Sequence, residues 1–201
     1  NPANEKPIGR QRLAGRQDAR RAIAAASRAQ AALSQSTKAE RLDMLRSLQA
    51  AILRRADEIR DVTIAEYGAP ISRARWISQY ASDCFGYAAD ALQGYQFSRR
   101  IGDATVRMEP VGVAALIAPW NAAAGTICSK FASALAAGCA SVIKPSELGG
   151  LQAQVVTEAL HSAGLPAGIF NVRSRQRRRR RTRHQFRRHA HLLHRIDRDG
   201  Q

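Results

Sequence analysis

Between Val111 and Glu147 the chain reads VGVAALIAPWN, then a helix-length apolar run, then CASVIKPSE. Two short apolar runs each end in a compact polar cluster, Pro119-Trp120-Asn121 and Lys144-Pro145-Ser146-Glu147. A continuous apolar run bounded by turn residues fits a strand buried on both faces. Two such strands joined by a helix make a parallel pair with a right-handed crossover. Open sheets of this kind bind ligands outside the carboxyl ends of their strands. Both polar clusters fall there, so this stretch constrains the fold and the place of its chemistry together.

The same grammar extends in both directions. Downstream the pattern predicts strands at 111–118, 140–144 and about 168–172, with helices at about 125–137 and 148–163. Gly138 closes the first helix, and Gly164 with Pro166 closes the second. Upstream, Asp18 is the expected cap of a helix over 19–33 that buries Ile23, Ala26, Ala29 and Leu33. Thr37 and Glu40 form a T-x-x-E capping box. The stripe Leu42, Leu45, Leu48, Ile52, Ala56, Ile59, Val62 then predicts one helix running to Gly68 and Pro70. A third helical region covers about 71–92. Residues 95–110 change period around Gly102-Asp103, which predicts a β-hairpin. The expected fold class is α/β: N-terminal helices plus a β-hairpin, leading into half of a Rossmann-like parallel sheet. The expected organisation is a flexible N-terminus (1–16), a partial α/β domain (17–172) and an Arg-rich tail (173–201).

Charge and cysteines narrow the class. The net charge is +16, and the 12 arginines and 2 aspartates after Val172 supply +10 of it. Basicity gathered in one tail argues against a patterned nucleic-acid face on the folded part. No stretch of eighteen apolar residues predicts a membrane span, and no signal peptide is expected before Asn1. Cys84, Cys128 and Cys139 show no CxxC spacing, which favours reduced structural thiols and a cytoplasmic location. No metal site is expected.

The polar clusters carry the chemistry. The Asn121 amide after a strand can donate a hydrogen bond to a developing oxyanion, or it can cap the next helix. Lys144 can reach a ribose hydroxyl or a phosphate, and Glu147 can accept from a ribose hydroxyl. An acidic residue is also at home in the first turn of a helix. Each signal alone is common; in this order, at neighbouring strand ends, they make a strong combined signal.

From about Ala39 to Val172 the sequence resembles the N-terminal part of an aldehyde dehydrogenase. The matching pieces are EPVGVAALIAPWN, the helix carrying Lys130, ALAAGCASVIKPSE and HSAGLPAGIFNV. The resemblance implies a variant Rossmann sheet without Gly-x-Gly-x-x-Gly, and none occurs here. It implies NAD or NADP as cofactor, a small aldehyde as substrate, and oxidation to a carboxylic acid. Asn121 is similar to the family's oxyanion-hole amide. Ile117, Pro119 and Trp120 match the wall beside the cofactor. Lys144, Ser146 and Glu147 match the loop that holds the adenosine ribose, and Lys130 matches a lysine on the helix lining the site. Ala122-Ala123 departs from the aromatic and proline common there, which alters the local substrate shape. The family's nucleophilic cysteine and general-base glutamate have no counterpart in this sequence, so the chain alone is expected to be inactive. Family members form homo-oligomers, and the segment that joins them is also unmatched here.

After Val172 the pattern stops: RSRQRRRRRTRHQFRRHAHLLHRIDRDGQ has no alternation and no caps. With permitted synonymous codons, Leu193–Gln201 read one base later can give FTGSTATG, similar to the family's phosphate-side glycine motif. Residues 173–181 can likewise give VPGNGDVVG. The tail therefore reads as an out-of-frame translation. The competing readings are an Arg-rich arm that binds nucleic acid through phosphates, and a partial subunit that joins a full-length dehydrogenase. An incomplete sheet is also expected to leave an exposed edge that favours aggregation.

Overall fold

In the computed structural model of the chain, which describes residues 1–11 and 13–173, four helices precede a hairpin and a three-stranded parallel sheet. The first helix, α1 (Arg16–Leu33), begins three residues before the expected start. Its N-cap is Gly15, and Asp18 sits one turn in, where its carboxylate accepts the Gly15 N–H at 2.8 Å. The buried stripe is Ala22, Ala26 and Leu33, and Ile23 is 52% exposed. The reason is helix phase: at 3.6 residues per turn Ile23 falls outside the stripe through Ala22, Ala26 and Leu33. The Cβ position at Gly168, in the turn before the last strand, lies only 2.8 Å from the Ala25 carbonyl and 3.0 Å from Ala29. Only small residues fit where that turn meets Ala25 and Ala29, on the far side of α1 from Ile23.

The expected second helix is two: α2 (Lys38–Leu53) and α3 (Ala56–Tyr67). The capping box forms, with Thr37 Oγ1 accepting from the Glu40 N–H at 3.2 Å and the Glu40 carboxylate accepting from the Thr37 N–H at 2.7 Å. The break falls at Arg54-Arg55, where Arg55 leaves helical geometry at φ −111°, ψ 16°. Its guanidinium holds Glu58 and reaches Glu158 at 3.0 Å. Ile52 and Ile59 stay fully buried on either side, so the apolar stripe runs through the bend. Gly68, left-handed at φ 76°, ends α3, and α4 (Ile71–Gly94) follows Pro70.

The hairpin pairs β1 (Ser98–Ile101) with β2 (Ala104–Arg107) antiparallel around Gly102. Then come β3 (Ala114–Ile117), α5 (Ala123–Ala136), β4 (Ser141–Lys144), α6 (Gly150–Ser162) and β5 (Phe170–Val172). The strands lie parallel in the order β3-β4-β5. β3 is shorter than 111–118, and Val111 is 93% exposed. The core runs between the helices and one face of the sheet. Phe131 of α5 is fully buried there, with its ring centroid 6.2 Å from Phe85 and 5.4 Å from Phe170.

Two polar side chains fasten the turn from α5 into β4. The Gln30 amide donates to the Gly138 carbonyl at 2.9 Å and accepts from the Ala140 N–H at 2.7 Å. Arg41 donates to the Ala136 carbonyl at 2.7 Å while stacking over Phe97. Residues 1–11 carry no helix or strand, and Gly9 lies against Leu151. The tail expected over 173–201 lies outside the described residues apart from Arg173. Among the described residues no helix is long and apolar enough to cross a membrane.

Candidate functional site

Parallel pairing fixes where the two polar clusters emerge. In the β3–β4 register Ile117 faces Lys144, and the Ala118 N–H donates to the Lys144 carbonyl at 3.1 Å. Pro119-Trp120-Asn121 and Pro145-Ser146-Glu147 therefore leave the sheet side by side, at its carboxyl edge. The loops touch at Gly149. A Cβ there would stand 3.0 Å from the Ala123 Cβ and 3.4 Å from the Trp120 backbone. Any larger residue at 149 would push the two clusters apart.

The side chains at this edge are open to solvent. Pro119, Asn121 and Glu147 are exposed, Ile117 is 67% exposed, and Trp120 packs edge-on against Tyr67 with ring centroids 5.4 Å apart. Lys144 is half-buried, and its ammonium donates to the neighbouring Pro145 carbonyl at 3.1 Å. Ser146 Oγ accepts from the Leu148 N–H at 3.2 Å, so this hydroxyl also shapes its own loop. Lys130 is exposed on α5. Asn121 does not take up the capping role that its residue type suggests: the N-cap of α5 is Ala122, which makes no side-chain cap hydrogen bond.

Donor and acceptor types at this edge suit the diol of a ribose: an ammonium from Lys144 and a carboxylate from Glu147. The neighbouring helix N-terminus does not suit a phosphate. Glu66, at the end of α3, places its carboxylate on the first turn of α6, accepting from Leu151 N–H at 2.7 Å and Gln152 N–H at 3.1 Å. Those are the amides a bound anion needs. The edge thus offers groups of ribose-binding type, and the α6 terminus is closed to an anion by Glu66. Beside Pro145 and Val172 a cavity of about 360 Å³ opens between α6 and Arg10-Gln11. A groove of about 420 Å³ lies at the far end of α5, between Tyr95, Met108 and Ala137, away from Asn121.

The cysteines stand apart from this chemistry. Cys84, Cys128 and Cys139 are free and buried. Burial pushes the Cys84 thiol up, and it pushes the Cys128 thiol well up, with Cys84 adding to the effect. A thiolate nucleophile needs the opposite shift. Among the described residues no group of His, Cys, Asp and Glu is placed to hold a metal ion.

Sequence reading alone passed over Glu66, Gln152 and Tyr67. One signal was available for the first: Glu66 lies in the last turn of α3, where the helix dipole disfavours an acid.

The fold defines an α/β unit whose polar loops gather at one sheet edge, and the chain belongs to the aldehyde dehydrogenase family, whose model matches residues 1–191. It is 36% identical over 174 residues to 3-succinoylsemialdehyde-pyridine dehydrogenase of a Pseudomonas species, covering 86% of this chain and 36% of that protein. To the NADP(+) succinate-semialdehyde dehydrogenase of Escherichia coli it is 34% identical over 180 residues, covering 86% of the chain and 37% of the relative. Among solved structures it superposes with TM-score 0.84 and 37% identity on a variant of aldehyde dehydrogenase C from Pseudomonas syringae, complexed with NAD+ and octanal; the match covers 88% of this chain and 36% of that one. The chain spans about a third of the length of the relatives it matches.

Proposed function

We propose that this chain is the part of an NAD- or NADP-dependent aldehyde dehydrogenase that holds the adenosine ribose and presents the oxyanion-binding amide. The carrying observation is the β3–β4 register, with Ile117 opposite Lys144 and the loops joined at Gly149. It sets Asn121 and the Lys144–Glu147 pair at one sheet edge. Family membership and the relatives named with NAD+ or NADP(+) support the cofactor class.

A bound nicotinamide dinucleotide supplies the hydride acceptor, and this chain's residues do the rest of what can be assigned to it. Lys144, whose ammonium now donates to the Pro145 carbonyl, and Glu147 would hold the ribose hydroxyls. Ile117, Pro119 and Trp120 form the apolar wall at the strand end. Ser146 keeps the loop in shape. The Asn121 amide donates to the carbonyl oxygen of a small aldehyde as negative charge develops on it, a contribution strongest where water is excluded. Lys130 lies on the helix that follows.

The 201-residue polypeptide by itself holds no activated thiol, so we expect no aldehyde-dependent NADH or NADPH formation from it. It should still bind NAD+ weakly, and Lys144→Ala or Glu147→Ala should lower that affinity by about tenfold, the worth of one lost charged hydrogen bond. Calorimetric titration of the intact chain and both variants checks this; equal affinity in all three removes the ribose assignment. We further propose that the stretch after Val172 is translated out of frame, and that it is not an evolved nucleic-acid-binding arm. A gene whose plus-one frame after the Val172 codon encodes no glycine motif would end that idea.

A further inference from the structure

We infer that Glu66 and Gln152 are positioning residues for Asn121, linked to it through the first turns of α6 and α5; this rests on the reading of Asn121 given above. Gln152 is fully buried in the first turn of α6. Its side-chain oxygen accepts a long bond, 3.5 Å, from the N–H of Ala124, in the first turn of α5. Its Nε2 has no hydrogen-bond partner among the described residues. A buried amide with one half unpaired costs stability, and a methionine of similar volume would fill the same space without that cost. A polar group kept against that cost belongs to a functional region more than to a packing solution. Its one bond ends three residues from Asn121.

Glu66 holds Gln152 in turn. Its carboxylate takes the Leu151 and Gln152 N–H groups at 2.7 and 3.1 Å. It sits at the unfavourable end of α3 and the favourable end of α6. The next residue, Tyr67, rests against Trp120, and Gly149 permits the loop from β3 to lie directly on the start of α6. Asn121 thus stands on a floor tied at two points to the end of α3. The N-cap residue Ala122 supplies no side-chain hydrogen bond, and the Gln152 oxygen restrains that turn in its place. Substrate-touching groups need such support to hold their geometry.

The test uses the isotope-labelled 201-residue chain with Gln152→Met and Glu66→Gln variants, read by amide NMR and thermal melting. The Asn121 side-chain signal is assigned by its loss in Asn121→Asp. Gln152→Met should leave the melting temperature unchanged or higher. It should also shift or split the Ala124 and Asn121 signals and speed exchange of the Ala124 amide by about tenfold, while the Leu45 and Ile143 amides stay in place. Glu66→Gln should move Gln152, Ala124 and Asn121 together. An unmoved Asn121 signal in folded variants overturns the inference. So does a uniform shift of all signals with a lower melting temperature, or loss of folding in both variants, because each marks an ordinary structural role. Neither cofactor nor aldehyde enters this experiment. Its failure is therefore separate from failure of the dehydrogenase reading, which the titration above decides.

Discussion

Phe131 is a single side chain on which three elements converge. It meets Phe85 of α4 and Phe170 of β5 from its place on α5, with no solvent exposure. Phe131→Ala should cost about 3–5 kcal/mol, because the ring's transfer energy and the cavity left behind add. Urea unfolding of the intact chain measures this, and a loss under about 1 kcal/mol would mean that the helices collapse into the gap. At this scale the sequence was informative at the strand ends: the placement of Asn121, Lys144 and Glu147 at one sheet edge was legible because their residue types contrast with the apolar runs before them. Gln30, Arg41 and Glu66 were not. Each bonds backbone groups 85 or more residues away, and a distant carbonyl or N–H leaves no mark on local pattern.

At the scale of elements, the α2 cap makes a pH prediction. The Thr37 backbone and hydroxyl bonds hold the Glu40 carboxyl below its ordinary value. A depressed acid contributes stability above its unfolded value, and that contribution fades as pH falls through the folded one. The chain should therefore lose part of its acid-side stability through this box, and Glu40→Gln should flatten that limb in urea midpoints measured from neutral pH downward. An identical acid limb in the variant would show that the box does not couple to unfolding. Turns and caps with glycine or Thr-x-x-Glu were read directly from the chain. The Arg54-Arg55 break was not, because it has neither glycine nor proline and the apolar period continues through it. The rotation of α1 was hidden for another reason. Ile23 looks like core by its chemistry, and the phase of the Ala22, Ala26, Leu33 stripe turns it outward.

At the scale of the molecule, the described sheet has β3 and β5 as its two outer strands. Ile101, Met108, Val111 and Ile117 are all exposed. Open strand edges beside apolar side chains pair with other chains. The 201-residue polypeptide should self-associate at micromolar concentration, seen as concentration-dependent sedimentation; a single sharp-melting monomer over that range would contradict it.

The Gln30 clamp also dictates when the fold can close. Its carbonyl and N–H partners arrive with Gly138 and Ala140, 108 and 110 residues later. A ribosome adding roughly 5–20 residues each second needs about 5–20 s to reach them. Throughout that interval the Gln30 amide of α1 lacks the backbone partners it will hold, and the small residues Ala25 and Ala29 wait longer still, until the Gly168 turn is made.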